Sequence, residues 1–280
     1  MIPAEDVKRI GTAVTDGRFS YLIVRYSRRG VEAAVVLSVW KAEAGGLRVA
    51  SVRSASEARA TLTLRAGATV QRLASCRVAV VGAGAIGSFV CDLLGRSGVG
   101  AITVIDPDVV TPGNLIRYAA DASTVGTGKP LAIKRVIESR PYNSSKVSVA
   151  AGVPSPREVM SLFTEHDLVI DATASGDATH LLASAAGGSG YHMLSVCVQE
   201  EGRVLRVDII PPLKGEQMPE TELGPPTARE DLRFEAGCGD PVSQTPAFAV
   251  VEAAALAARH AVGLLTDRPV SDAGTVRDYR

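Results

Sequence analysis

The sequence predicts an α/β fold: a doubly wound, mostly parallel sheet with a small β-rich N-terminal unit ahead of it. Three observations predict it. Short apolar runs such as RVAVV (77–81) and AITVI (101–105) read as strands buried on both faces of a parallel sheet. A stretch of helical length separates these two runs, as strand–helix–strand units require. The first 55 residues differ, holding three β-branched runs punctuated by turn residues.

In chain order, residues 19–26, 31–40 and 47–52 are predicted strands, separated by Ser27-Arg28-Arg29-Gly30 and Ala44-Gly45-Gly46 turns. Residues 56–73 follow as a helix with Ser56 as its N-cap. Strand 77–81, helix 85–95 and strand 101–105 then form the first strand–helix–strand unit. A helix opens at Pro130, a residue tolerated in a first turn, and runs to about residue 140. Residues 146–152, 167–173 and 192–199 supply three more strands, and 202–210 another after a turn at Glu201-Gly202. Residues 214–241 are rich in Gly, Pro and Glu and read as a long loop, where function tends to sit. An Ala-rich helix covers 246–265, and residues 275–280 end abruptly, as in a chain cut from a longer one. No internal repeat is present. The domain reading is a small β-rich N-terminal unit over 1–55 and an α/β domain over 56–280.

Thirty Lys and Arg balance thirty Asp and Glu, so nothing points to nucleic acid or to an anionic membrane surface. No apolar run reaches membrane-spanning length, and MIPAEDVKRI is not a signal peptide. Cys76, Cys91, Cys197 and Cys238 are scattered without a C-x-x-C pair, which argues against structural zinc and for a reducing cytoplasm. His166, His180, His192 and His260 lack ligand spacing and read as structural.

The chemistry concentrates between residues 77 and 129. Strand 77–81 runs into Gly82-x-Gly84-x-x-Gly87. In such Rossmann-like loops the first glycine permits the tight turn, the second lets backbone approach phosphate, and the third lets helix pack on strand. The free N–H groups opening the helix favour an anion. Asp106 ends the next strand, where a carboxylate can take both ribose hydroxyls. A dinucleotide has little use for the Asp108, Asn114, Arg117 and Lys129 that follow, whereas a triphosphate does, so the site reads as one for ATP. Asp171 closes strand 167–173 on the same sheet edge, a place suited to hold Mg²⁺.

With these residues in place, the chain resembles the ThiF/MoeB/ubiquitin-activating enzyme superfamily of adenylyltransferases over residues 56–265. The resemblance rests on Gly82/Gly84/Gly87, Asp106, Asn114-Leu115-Ile116-Arg117, Gly126-Thr127-Gly128-Lys129 and Asp171-Ala172-Thr173. Tyr118 stands where that family usually has Gln. The family also takes an arginine from the partner subunit's N-terminal helix; Arg59, counted back from Gln71, falls at that position in a decayed segment.

The resemblance implies an E1-like adenylation fold and attack by a carrier's C-terminal glycine carboxylate on the α-phosphorus of ATP. The carrier would be a ubiquitin-like or sulfur-carrier protein. Lys129, Arg117 and Arg59 would neutralise phosphate charge, with Mg²⁺ on Asp171. No general base is needed, because the nucleophile is already ionised. The resemblance further implies a homodimer, and transfer of the acyl group to a cysteine as a thioester. Cys238, in the Gly237-Cys238-Gly239 loop before the last helix, is the candidate for that step, ahead of a possible downstream conjugating enzyme. The missing zinc cysteines favour a bacterial ubiquitin-like conjugation system. Two other readings stay open: a non-catalytic scaffold subunit, and an NAD(P)-dependent oxidoreductase that would leave Arg117 and Lys129 without a role.

Overall fold

A computed structural model describes residues 4–55, 67–140, 143–224 and 242–280. The chain divides into two compact units, Met1–Leu64 and Arg65–Arg280.

In the first unit, α1 (Ala4–Thr15) precedes an antiparallel meander of β1 (Tyr21–Arg28), β2 (Val31–Lys41) and β3 (Leu47–Val52). The β1–β2 register places Arg28 opposite Val31, so Arg29 and Gly30 alone make the turn. Both have positive φ, 53° and 77°, the geometry that lets a two-residue turn follow the twist of its strands. The three strands match the sequence expectation within two residues. Helix α1 was not expected; its acidic first turn, Glu5 and Asp6, and its amphipathic spacing are the local signals for it.

The second unit opens with a single helical turn at Val70–Leu73, then alternates strands and helices. In order come β4 (Arg77–Val81), α2 (Ala85–Ser97), β5 (Ala101–Ile105), α3 (Lys129–Glu138), β6 (Lys146–Ala150), α4 (Pro156–Glu165), β7 (Leu168–Asp171), α5 (Gly176–Ser189), β8 (Met193–Gln199), β9 (Val204–Ile210), α6 (Ala247–Leu265) and β10 (Gly274–Asp278). The sheet order is β10-β9-β8-β7-β4-β5-β6. Strands β6, β5, β4, β7 and β8 are mutually parallel; β9 runs antiparallel to β8, and β10 antiparallel to β9. The chain winds outward from β4 to β6, then returns to lay β7 on the other side of β4. That reversal makes a switch point, and a crevice opens outside the carboxyl ends of the strands there.

Alternation along the strands sorts the core into two layers. Val78 and Val80 of β4 face α2, α3 and α6, while Ala79 and Val81 face α4 and α5. Helix α6 is long and apolar enough by composition to cross a membrane, contrary to the expectation that no run reached that length. Its apolar side is core, however: Ala249, Val250, Ala253, Ala254 and Ala257 are all buried, and the helix packs on α2, β8 and β9. Small residues there let helix and strands approach closely. The predicted strands and helices of residues 77–210 recur within a few residues, whereas α4, α5 and β10 were not anticipated.

Candidate functional site

The crevice is built around the turn from β4 into α2. Gly82 sits at φ 90°, and a side chain there would place Cβ 2.6 Å from the carbonyl carbon and oxygen of Ala172. On Gly87 a Cβ would lie 1.9 Å from the carbonyl oxygen of Gly82. Both glycines are therefore required by close backbone approach. Gly84, the N-cap of α2, has open space at its Cβ position, and the first turn of α2, whose N–H groups have no partner within the helix, begins beside it.

Asp106, just past β5, is almost fully buried and ties the loops together. One carboxylate oxygen accepts from the Ala83 N–H at 2.7 Å and the other from the Asp108 N–H at 2.9 Å. Lys129 stands 3.9 Å from Asp106 and 2.7 Å from Asp108. The Lys129 side chain is 14% exposed and that of Asp108 63%, so the lysine is held by the fold and the aspartate is largely solvated. Lys129 also fixes its own position through its backbone N–H, 2.8 Å from the Asp108 carbonyl.

A 3₁₀ segment, Pro112–Arg117, carries the remaining expected residues. Asn114 Oδ1 accepts from the Thr111 N–H at 3.0 Å, capping the turn. Arg117 donates to the carbonyls of Ser243 at 2.6 Å and Thr245 at 3.3 Å. Burial pulls its pKa down. No carboxylate among the described residues pairs with it, so its charge stays available to an anion. Tyr118 is buried, and its hydroxyl donates to the Lys129 carbonyl at 3.2 Å. Burial and the nearby Asp106 push its pKa up, keeping it a neutral donor.

These groups divide the crevice into two compartments. One, of about 300 Å³, has apolar walls that include Ile105, Val153, Pro154 and Leu182, with Asp106 at its side. The other, of about 160 Å³, is lined by Asn114, Arg117, Tyr118 and Lys129. Gly84 and Lys129 line both, so the compartments are adjacent. An apolar slot beside a carboxylate, leading to a cation-lined pocket at a helix N-terminus, suits a base, a ribose and a phosphate chain in that order.

Asp171 departs from expectation. It is buried, and its carboxylate already accepts from four donors: the Thr173 N–H, the Thr173 hydroxyl, the Thr179 hydroxyl and the Ser195 hydroxyl. In this arrangement no lone pair is left for a cation, and Asp171 lines neither compartment. No group of three or more metal-binding side chains occurs among the described residues either. The residues present therefore do not fit a resident Mg²⁺ on Asp171.

Arg59 and Cys238 lie outside the described residues. Sequence reasoning named Thr173 only as part of a motif and overlooked Ser175 and the Gly152-Val153-Pro154 segment, all of which line the larger compartment. The last of these carried a signal, Gly and Pro at the end of a predicted strand. Three of the histidines have structural partners: His166 meets Thr103 and the Leu162 carbonyl, His192 the Pro211 carbonyl, and His260 Thr275.

Cys197, on β8, has its pKa pushed up to about 11, by burial first and then by Asp208. At pH 8 about one such thiol in a thousand is ionised. Iodoacetamide at pH 8 is therefore expected to spare Cys197 in the folded protein and to label it only after denaturation. Peptide mapping checks this, and fast native labelling of Cys197 would overturn it.

Fold and crevice define the class: a Rossmann-like α/β protein with a glycine loop and clustered cations at its switch point. The chain belongs to the ThiF family, whose profile matches residues 57–268. It is 32% identical over 133 residues to the adenylyltransferase and sulfurtransferase UBA4 of Yarrowia lipolytica, covering 47% of this chain and 33% of that one. It is 29% identical over 119 residues to the ATP-dependent ubiquitin transferase-like protein Cap2 of Enterobacter hormaechei, covering 42% of this chain and 20% of that one. The crystal structure of E. coli MccB with ATP shares the fold, with a TM-score of 0.56 and 21% identity over 75% of this chain and 65% of that one. The chain thus spans a fifth to a third of the length of these two curated relatives.

Proposed function

We propose that the protein is an ATP-dependent adenylyltransferase acting on the C-terminal glycine carboxylate of a ubiquitin-like or sulfur-carrier protein. The observation that carries the reading is the pair of adjacent compartments that share Gly84 and Lys129. The apolar slot and Asp106 suit adenosine, and the second compartment sets Arg117 and Lys129 around open space at the N-terminus of α2. Membership of the ThiF family and the names of the two relatives support the activity, and the ATP in the MccB structure supports the nucleotide.

A carboxylate oxygen of the carrier attacks the α-phosphorus. The bond to the oxygen bridging α- and β-phosphorus breaks, and pyrophosphate leaves with that electron pair. Two anions must meet, so the barrier is one of charge and positioning. Lys129 and Arg117 offset phosphate charge, Asn114 holds the 3₁₀ turn that presents Arg117, and Asp106 fixes the ribose. Asp108 shares Lys129 until phosphate takes its place. The remaining parts of the reading are a homodimer in which Arg59 reaches the partner's site, and thioester transfer to Cys238 ahead of a conjugating enzyme. Residues 56–280 are the catalytic domain and residues 1–55 an accessory unit. A reducing cytoplasm fits the free thiols of Cys76, Cys91 and Cys197.

ATP–pyrophosphate exchange, run with a panel of diglycine-ended ubiquitin-like proteins, tests the first step. Carrier-dependent exchange is the expected result, together with a thiol-sensitive adduct on a non-reducing gel that disappears in Cys238→Ala. Absence of ATP binding would sink the reading altogether. Exchange without an adduct would remove the thioester step alone.

A further inference from the structure

We infer that Asp171 is a positioning residue that shapes the nucleotide crevice through Thr173, rather than a ligand of the metal that accompanies ATP. The inference rests on the reading that the crevice takes an adenine nucleotide. A buried carboxylate is tolerated when hydrogen bonds satisfy it, and here the four donors come from three separate elements. Thr173 belongs to the turn after β7, Thr179 to α5 and Ser195 to β8. Asp171 therefore clamps the β7–α5 turn between a helix and the neighbouring strand.

That turn forms one wall of the larger compartment, through Ala172, Thr173 and Ser175. The Thr173 hydroxyl donates to Asp171 at 2.7 Å and accepts from the Ser175 N–H at 3.1 Å, passing the constraint along the turn. Between them Ala174 sits at φ 55°, a left-handed conformation unfavourable to residues with a Cβ. Such a conformation persists only where its surroundings impose it, and the Asp171 network is what surrounds it. The opposite wall depends on the same turn. Gly82 approaches the Ala172 carbonyl so closely that a Cβ would lie 2.6 Å away, and Gly87 faces the Ala172 side chain. If the turn relaxes, wall and glycine loop move together.

The two roles predict different phenotypes. A metal ligand contributes only when the cation is present, and it leaves adenosine and AMP recognition alone. A positioning residue acts on the adenosine part of the ligand whether or not a cation is present. The test is calorimetric titration of AMP in EDTA, and of ATP with and without Mg²⁺, into wild type, Asp171→Asn and Thr173→Val. Melting curves confirm that both variants fold. The positioning role predicts AMP binding in EDTA weakened about tenfold in both variants, the loss expected for one hydrogen bond to a charged group. It also predicts the same ratio to wild type for ATP with and without Mg²⁺. Unchanged AMP affinity with a loss confined to Mg²⁺–ATP would overturn it.

A nucleotide-free measurement separates this inference from the reading beneath it. Amide hydrogen exchange at Thr173 and Ser175 is expected to speed up in Asp171→Asn with no ligand present. Unchanged exchange would overturn the positioning role. Faster exchange in a protein that binds neither AMP nor ATP would uphold it while removing the nucleotide assignment.

Discussion

Gly87→Ala is expected to abolish ATP binding and to lower the unfolding temperature by several degrees. The new methyl would lie 1.9 Å from the Gly82 carbonyl oxygen and 3.3 Å from the Ala172 Cβ. The nearer atom is backbone, so no rotamer change relieves the clash. Either α2 slides away from β4 or the glycine loop opens. Overpacking of this kind costs about 1–3 kcal/mol when side chains can adjust, and the upper end is the fair expectation for a backbone clash. In a unit of this size that corresponds to a fall of roughly 5–10 °C. ATP binding is lost for a separate reason, because the α2 amides no longer point where phosphate would sit. Gly84→Ala is the matched control. Its Cβ meets nothing within 4 Å, so stability should be unchanged while ATP affinity falls through contact with the ligand itself. Thermal melts and calorimetric titrations of both variants check the pair. If Gly87→Ala melted and bound like wild type, the close packing of the loop on α2 would be wrong.

The legible parts of this fold were those whose signal is local. Buried parallel strands give short, continuous apolar runs, so β4, β5, β7 and β8 stood out, and Gly82 and Gly87 sit in a turn that residues with a Cβ cannot make. Helix α5 was hidden because its sequence, GDATHLLASAAGGS, mixes glycine and serine into a helix stabilised by packing on β7 and β8. Strand β10 was hidden because it is an exposed, antiparallel edge strand whose stability comes from pairing with β9. At the site, residue types were legible and partnerships were not. Arg117 is held by carbonyls of Ser243 and Thr245, more than 120 residues away in sequence. Asp171 looked like a metal ligand from its place at a strand end. Thr179 and Ser195, which occupy its lone pairs, come from elements that sequence alone could not bring to it.

Lys129→Met should cost about 10²–10³-fold in adenylation while leaving the fold intact, an effect of about 3–4 kcal/mol on the transition state. Structurally the ammonium has little to lose. Its near partner, Asp108, is largely exposed and would be re-solvated, and its distance to Asp106, 3.9 Å, is that of a loose pair. Asp106 keeps the Ala83 and Asp108 N–H groups, so the buried carboxylate remains satisfied. The loss therefore falls on the ligand. Lys129 is one of the groups shared by both compartments, where the α-phosphate of a bound ATP would lie and where negative charge would grow as the carrier attacks. Since that charge is greater in the transition state than in the ground state, kcat should fall more than KM for ATP rises. Asp108→Asn supplies the opposite perturbation. Removing a largely exposed competitor frees the ammonium for phosphate, so KM for ATP should fall or hold and the melting temperature should not move. Carrier-dependent exchange kinetics of both variants measure this. Exchange within fivefold of wild type in Lys129→Met would place the reacting phosphate away from Lys129.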